Sequence, residues 1–147
     1  KLAEYLSKTF WKPLGSQEDA LWQMDSEESG LVKAYCCIAS NARDFARLGK
    51  LYKDYGKWNG QQLLDSAYVA KSISPRFEGE PYGYGFWLMD YKNKNVFMMR
   101  GHLGQYVMVL PEDDLIVVRL GHSHGPLSDN GYPAELNTYF DEAYKMF

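Results

Sequence analysis

The stretch Gln105-Tyr106-Val107-Met108-Val109-Leu110-Pro111-Glu112-Asp113-Asp114-Leu115-Ile116-Val117-Val118-Arg119-Leu120 decides the fold. Two runs rich in β-branched and aromatic residues flank a four-residue polar turn, the pattern of two strands. A parallel pair needs a crossover of a dozen residues or more, so a link this short makes the strands antiparallel neighbours. Both runs are apolar on both faces, which places them at the centre of a sheet, covered by helices. Residues 84–91 and 96–100 read as two more strands, separated by Lys92-Asn93-Lys94-Asn95 and followed by the Gly101 to Gly104 turn. Together the four runs make an antiparallel meander.

Helical periodicity surrounds it. Leu2, Leu6 and Phe10 share a face, so residues 1–11 read as an amphipathic helix stopped by Pro13-Leu14-Gly15. Residues 16–40 read as mostly loop with one short strand. Asn41 caps a helix in which Phe45, Leu48, Tyr52 and Tyr55 share a face; Asp44 supplies the capping-box partner and Gly56 the stop. Trp58-Asn59-Gly60 is a turn, and Asp65 caps a shorter helix over 66–73 that ends at Ser74-Pro75. Pro133 opens a C-terminal helix with Leu136, Phe140, Ala143 and Phe147 on one side. An antiparallel sheet flanked by helices is an α+β architecture, and without repeat or linker residues 1–147 form one domain.

At 147 residues and 46% hydrophobic the chain can bury a core. A net charge of -3 carries no basic footprint, which argues against nucleic acid as a partner. No apolar run approaches the roughly 20 residues of a membrane-spanning helix. The chain opens on Lys1 already in helical pattern, so sorting signals are expected to have been removed. Cys36 and Cys37 are adjacent, a spacing that disfavours a bridge between them, and they read as two small buried residues.

Four motifs bear on chemistry. Gly121-His122-Ser123-His124-Gly125 has the Gly-x-Ser-x-Gly form of a nucleophile elbow and follows a strand. The elbow also requires a helix directly afterwards and a later histidine. Here Pro126 to Tyr132 are turn-formers and no histidine follows His124, so the elbow reading fails. His122 and His124 alternate as metal ligands on a strand do, but only Asp129 is a nearby carboxylate, and a solvated loop is preferred over a zinc site. Tyr91-Lys92-Asn93 has the Tyr-x-Asn form of a serine-hydrolase motif, yet falls in a hairpin turn. The fourth, Gly101-His102-Leu103-Gly104-Gln105, suits its context. Its glycines let backbone approach a ligand closely, His102 can donate to a carboxylate or move a proton near neutral pH, and the Gln105 N–H can face the same cleft as an oxyanion donor.

Several segments, in order, carry a resemblance. They are Pro13-Leu14-Gly15 with Ala20-Leu21-Trp22, then Ser40 through Tyr52, Gly56-Lys57-Trp58-Asn59-Gly60, and Tyr82-Gly83-Tyr84-Gly85-Phe86-Trp87. Gly101 to Gln105 and Pro111 to Leu120 complete the series. The ordered set resembles the C-terminal part of the serine β-lactamase and penicillin-binding superfamily, nearest the branch of class C β-lactamases, related esterases and nylon-oligomer hydrolases. That resemblance implies a hydrolase that cleaves an amide or ester bond through a serine acyl-enzyme. Its third motif, typically Lys-Thr-Gly, falls on His102-Leu103-Gly104, with Leu103 and Gly104 lining the substrate site and the Gln105 N–H in the oxyanion hole. Histidine in place of lysine favours esterase-like or peptidase-like members over β-lactam hydrolysis.

The family's Ser-x-x-Lys occurs nowhere in the 147 residues. The resemblance therefore implies a partial domain whose nucleophile lies upstream of Lys1, inactive as it stands. It further implies no metal or cofactor, a small amide or ester substrate of which peptidoglycan-derived ones are an example, and a periplasmic or cell-surface location. Surfaces left uncovered by a missing segment would invite self-association. A different reading of the same fold is a non-catalytic module that binds peptidoglycan or glycan in an aromatic cleft.

Overall fold

In the computed structural model, which describes residues 1–147, the meander forms as the turn lengths require. The chain begins with α1 (Leu2–Leu6), which runs into a π-helical turn (Ser7–Trp11), followed by the paired strands β1 (Leu21–Trp22) and β2 (Ile38–Ala39). Next come α2 (Ala42–Lys53), the small hairpin of β3 (Lys57–Trp58) and β4 (Gln61–Gln62), and α3 (Ser66–Ser72). The main sheet is β5 (Trp87–Tyr91), β6 (Lys94–Arg100), β7 (Gln105–Leu110) and β8 (Leu115–Leu120), antiparallel and in chain order. Helix α4 (Leu136–Tyr144) closes the fold.

Turn chemistry sets the register. Lys92 and Asn93 both take left-handed φ, 52° and 63°, the geometry that continues the twist of two strands through a two-residue hairpin. Asp114, at φ 53°, ends the short 3-10 turn between β7 and β8, so that Leu110 faces Leu115.

Strand β7 is the middle of the core. From Tyr106 to Leu110 every residue is buried. Tyr106, Met108 and Leu110 join Leu136 and Phe140 of α4 on one face, while Val107 and Val109 join Phe86 and Phe97 on the other, beneath Phe45 and Tyr52 of α2. The second face needs a small residue in the helix. A Cβ on Gly49 would stand 3.0 Å from methyl carbons of both Val107 and Val109, so glycine sets how closely α2 approaches.

Several expectations change. Strand β8 is an edge rather than a central strand, because no later segment pairs with its outer side, although α2 packs across it. Strand β5 begins at Trp87, not at residue 84, because Gly85 at φ 85° turns the chain and Gly83 bonds back to the Phe86 carbonyl. The first helix widens, with the Lys12 N–H reaching Ser7, and this turns Trp11 inward while Leu2 and Tyr5 remain exposed. Tyr55 and Phe147 fall beyond the ends of their helices and are exposed. Cys36 and Cys37 form a disulfide with each other and neither is buried; Cys37 takes a φ of 76°, which curls the chain back on itself there.

Asp44 does more than cap. Asn41 Oδ1 accepts the Asp44 N–H as a cap should, but the Asp44 carboxylate does not return to the Asn41 backbone. It accepts from the Gln17 and Glu18 N–H groups at 2.9 and 3.0 Å, from Asn41 Nδ2 at 2.8 Å and from Arg47 Nη1 at 2.7 Å. One buried carboxylate thus ties the loop after Leu14 to the start of α2. Burial opposes its ionisation, but these donors outweigh burial and hold its pKa below the ordinary 3.8. Asp44→Ala should destabilise the chain by about 3 kcal/mol, since it leaves Arg47 and the Gln17 and Glu18 N–H groups without their buried acceptor. A depressed carboxyl stabilises the fold fully above its unfolded value and loses that contribution as pH falls through the folded one. In urea denaturation across pH, the gap between wild type and Asp44→Ala should be complete at pH 7 and close below the ordinary 3.8.

Candidate functional site

The turn between β6 and β7 presents the Gly101–Gln105 stretch at one end of the sheet. His102 and Leu103 stand exposed at its tip, Gly104 is buried, and Gln105 is half-buried as the first residue of β7. Gly104 takes a left-handed φ of 82°, which a β-carbon would oppose. The Gly101 N–H donates to the Gln105 carbonyl at 2.7 Å, but the reciprocal bond from the Gln105 N–H to the Gly101 carbonyl is not made. The Gln105 side chain stiffens the turn: Oε1 accepts the Leu103 N–H at 3.0 Å and Nε2 donates to the Gly121 carbonyl at 2.5 Å.

Loop 121–125 lies against this turn, and Arg119 joins the two. Its Nη1 donates to the Gly104 carbonyl at 2.6 Å and to the Ser123 carbonyl at 2.8 Å. The guanidinium lies against the tilted pair of Tyr106 and Tyr139 rings, 5.8 and 5.7 Å from their centroids. A β-carbon on Gly104 or on Gly121 would come within 2.0 Å of Nη1, so both glycines are needed for the arginine to lie there. Glu135 completes the group: its Oε1 accepts the Gly125 N–H at 2.9 Å and the Tyr106 hydroxyl at 3.4 Å, while Oε2 is buried without a partner. Burial opposes the ionisation of Glu135, yet the N–H bonds, the Tyr106 hydroxyl and the charge of Arg119 keep its carboxyl below the ordinary range. Burial first, and then Glu135, push the Tyr106 hydroxyl up. A cleft of about 550 Å³ opens beside loop 121–125, lined by Arg119, His124, Glu135, Thr138 and Tyr139 among others and by none of residues 101–105. The larger cavity, about 1040 Å³, reaches Asn95, Val96, Pro111 and Glu112 at the opposite end of the sheet and touches none of residues 101–105.

The other motifs separate. Ser123 is exposed and is followed by loop rather than helix, so it has no elbow geometry. His124 Nδ1 pairs with the neighbouring Gly125 carbonyl at 2.6 Å, and no three His, Cys, Asp or Glu side chains gather as metal ligands would. Tyr91 is buried at the far end of the sheet, where its hydroxyl donates to Asp141 at 2.6 Å, with Lys92 and Asn93 in the hairpin turn. Arg119 and Glu135 escaped the sequence reading. The one signal for Arg119 is a single charge inside an otherwise apolar strand, two residues before Gly121.

A family model described as Beta-lactamase matches residues 1–139. Among solved structures, a Bacillus anthracis protein described as a 6-aminohexanoate-dimer hydrolase superposes with a TM-score of 0.70 at 23% identity, over 99% of this chain. The chain spans 37% of that protein's length, and at this identity the likeness speaks to the fold alone. No curated protein matches the chain. Substituting Gly104 tests how tightly the turn is held. Gly104→Ala should cost about 2 kcal/mol or more, through the strained φ and the clash with Arg119 and the Ser123 carbonyl, and appear as a lowered denaturation midpoint at unchanged m-value.

Proposed function

This chain belongs to the β-lactamase family, and from that premise we propose that it supplies one wall of a serine acyl-transfer site. The nucleophile comes from a Ser-x-x-Lys segment outside these 147 residues, and the bond cleaved is an amide or ester of a small substrate. His102 is the electrostatic and proton-handling side chain of the third motif, Gly104 and Leu103 line the substrate, and the Gln105 N–H donates to the developing oxyanion. The observation that supports this reading most is the turn itself. A left-handed Gly104, its carbonyl tied back to Arg119, precedes an N–H that the hairpin leaves out of its closing pair. Export to the periplasm or cell surface fits the Cys36–Cys37 bond, since oxidising compartments preserve disulfides.

The purified 147-residue chain should turn over neither a chromogenic cephalosporin nor a nitrophenyl ester; measurable turnover by the chain alone would sink the assignment of the nucleophile elsewhere. A protein that pairs this chain with a Ser-x-x-Lys segment should hydrolyse the ester, and His102→Ala should lower its kcat/KM on the order of 10²-fold. Tight binding of peptidoglycan fragments with no turnover by that protein would favour the binding-module reading instead.

We also propose that the chain self-associates. Strands β5 and β8 are edges, and β8 carries only one charge, at Arg119, among Leu115, Ile116, Val117, Val118 and Leu120. Such an edge offers unpaired N–H and carbonyl groups with little to discourage a second strand. Small-angle scattering should show a mass that rises with concentration, and replacing Val118 with Lys should return it to the monomer value. A monomer at every concentration counts against pairing.

A further inference from the structure

We propose that Arg119 is a positioning residue that fixes the direction and strengthens the polarity of the Gln105 N–H. The inference rests on the acyl-transfer reading of that N–H and adds the residue that sets it.

One peptide bond links the arginine to the donor. The carbonyl of Gly104 and the N–H of Gln105 belong to the same planar trans peptide, so they point in opposite directions and move together. Whatever holds the Gly104 oxygen also aims the Gln105 hydrogen. Arg119 Nη1 holds that oxygen at 2.6 Å, a short bond from a charged donor. A charged donor on the carbonyl draws electron density from the nitrogen, and linked hydrogen bonds polarise one another, so the N–H becomes a better donor to an oxyanion.

Every contact of Arg119 restrains it in this role. Register places it opposite Tyr106 on β8, so both side chains share a face of the sheet. The Tyr106 and Tyr139 rings back one side of its guanidinium, and its second bond, to the Ser123 carbonyl, keeps Nη1 from following Gly104 if the turn shifts. Glu135 anchors the Tyr106 hydroxyl and the Gly125 N–H, closing a ring of contacts from the 101–105 turn through loop 121–125 to the start of α4. Gly104 and Gly121 leave the space it occupies. Lysine at this position would reach with a flexible, strongly hydrated point charge and would lack the planar fork of the guanidinium.

Two substitutions and two readouts test the inference. Arg119→Met keeps the apolar stem and removes the donors, while Arg119→Lys keeps a charge. In the 147-residue chain, NMR should show the Gly104 carbonyl carbon and the Gln105 amide proton shifting upfield in Arg119→Met and by less in Arg119→Lys. In the protein that pairs this chain with its nucleophile, Arg119→Met should lower kcat for a nitrophenyl ester on the order of 10²-fold with KM within about twofold, and Arg119→Lys should recover part of the loss. Unchanged shifts in Arg119→Met, or a rise in KM at constant kcat, overturn the inference. Where Arg119→Met does not fold, Arg119→Lys decides: an unmoved carbonyl signal with wild-type kcat refutes the role. Absence of ester turnover in the wild-type protein overturns the acyl-transfer reading alone, and the carbonyl shift still decides whether Arg119 holds the peptide.

Discussion

Burial of β7 on both faces is the constraint from which the rest of the molecule follows. A strand with apolar side chains above and below must be covered twice, and the chain covers it with α2 on one side and α4 on the other. Each cover carries its own requirement. Helix α2 reaches the sheet only because Gly49 leaves room for Val107 and Val109, and its start is tied to the preceding loop by the buried Asp44 carboxylate. Helix α4 arrives through loop 121–133, whose path is set by Arg119 and Glu135. The fold and the candidate site therefore share parts: the first residue of the central strand, Gln105, is also the residue whose N–H faces the turn.

A turn at the entry to a fully buried strand is mechanically restrained. The peptide between Gly104 and Gln105 is held on one side by the β7 ladder and on the other by the hydrogen bond from Arg119, so little motion is left to it. Preorganised donors of this kind cost no reorganisation as charge develops. The tip, His102 and Leu103, is by contrast exposed to solvent. A restrained backbone N–H and an exposed histidine thus sit within four residues of each other.

Much of this was legible in the sequence. The four strands, their antiparallel order, the caps at Asn41 and Asp65 and the Gly104 turn all follow from local patterns, because hairpin length, capping oxygens and left-handed glycines act over a few residues. Other features misled. The apolar β8 was expected at the centre, since hydrophobicity reports burial by any partner and cannot separate a neighbouring strand from an overlying helix. Asp44 looked like a capping-box residue because the spacing to Asn41 is right, but its acceptors are spent on Gln17 and Glu18, far away in sequence. Adjacency reads as disfavouring a bridge between Cys36 and Cys37, and composition carries no sign of the left-handed Cys37 that accompanies it.

Alone, the sequence determined the α+β class, the meander and the identity of the His102-Leu103-Gly104-Gln105 turn, because each depends on residue type and short spacing. Only the tertiary structure decided what holds that turn. Arg119 is 15 residues from Gly104 and Glu135 lies further along still. They meet because antiparallel register sets Arg119 across from Tyr106, and because α4 folds back over the sheet. Contacts made across strands and between layers have no local sequence signature, so a lone arginine in an apolar strand showed its purpose only once the strand had a neighbour.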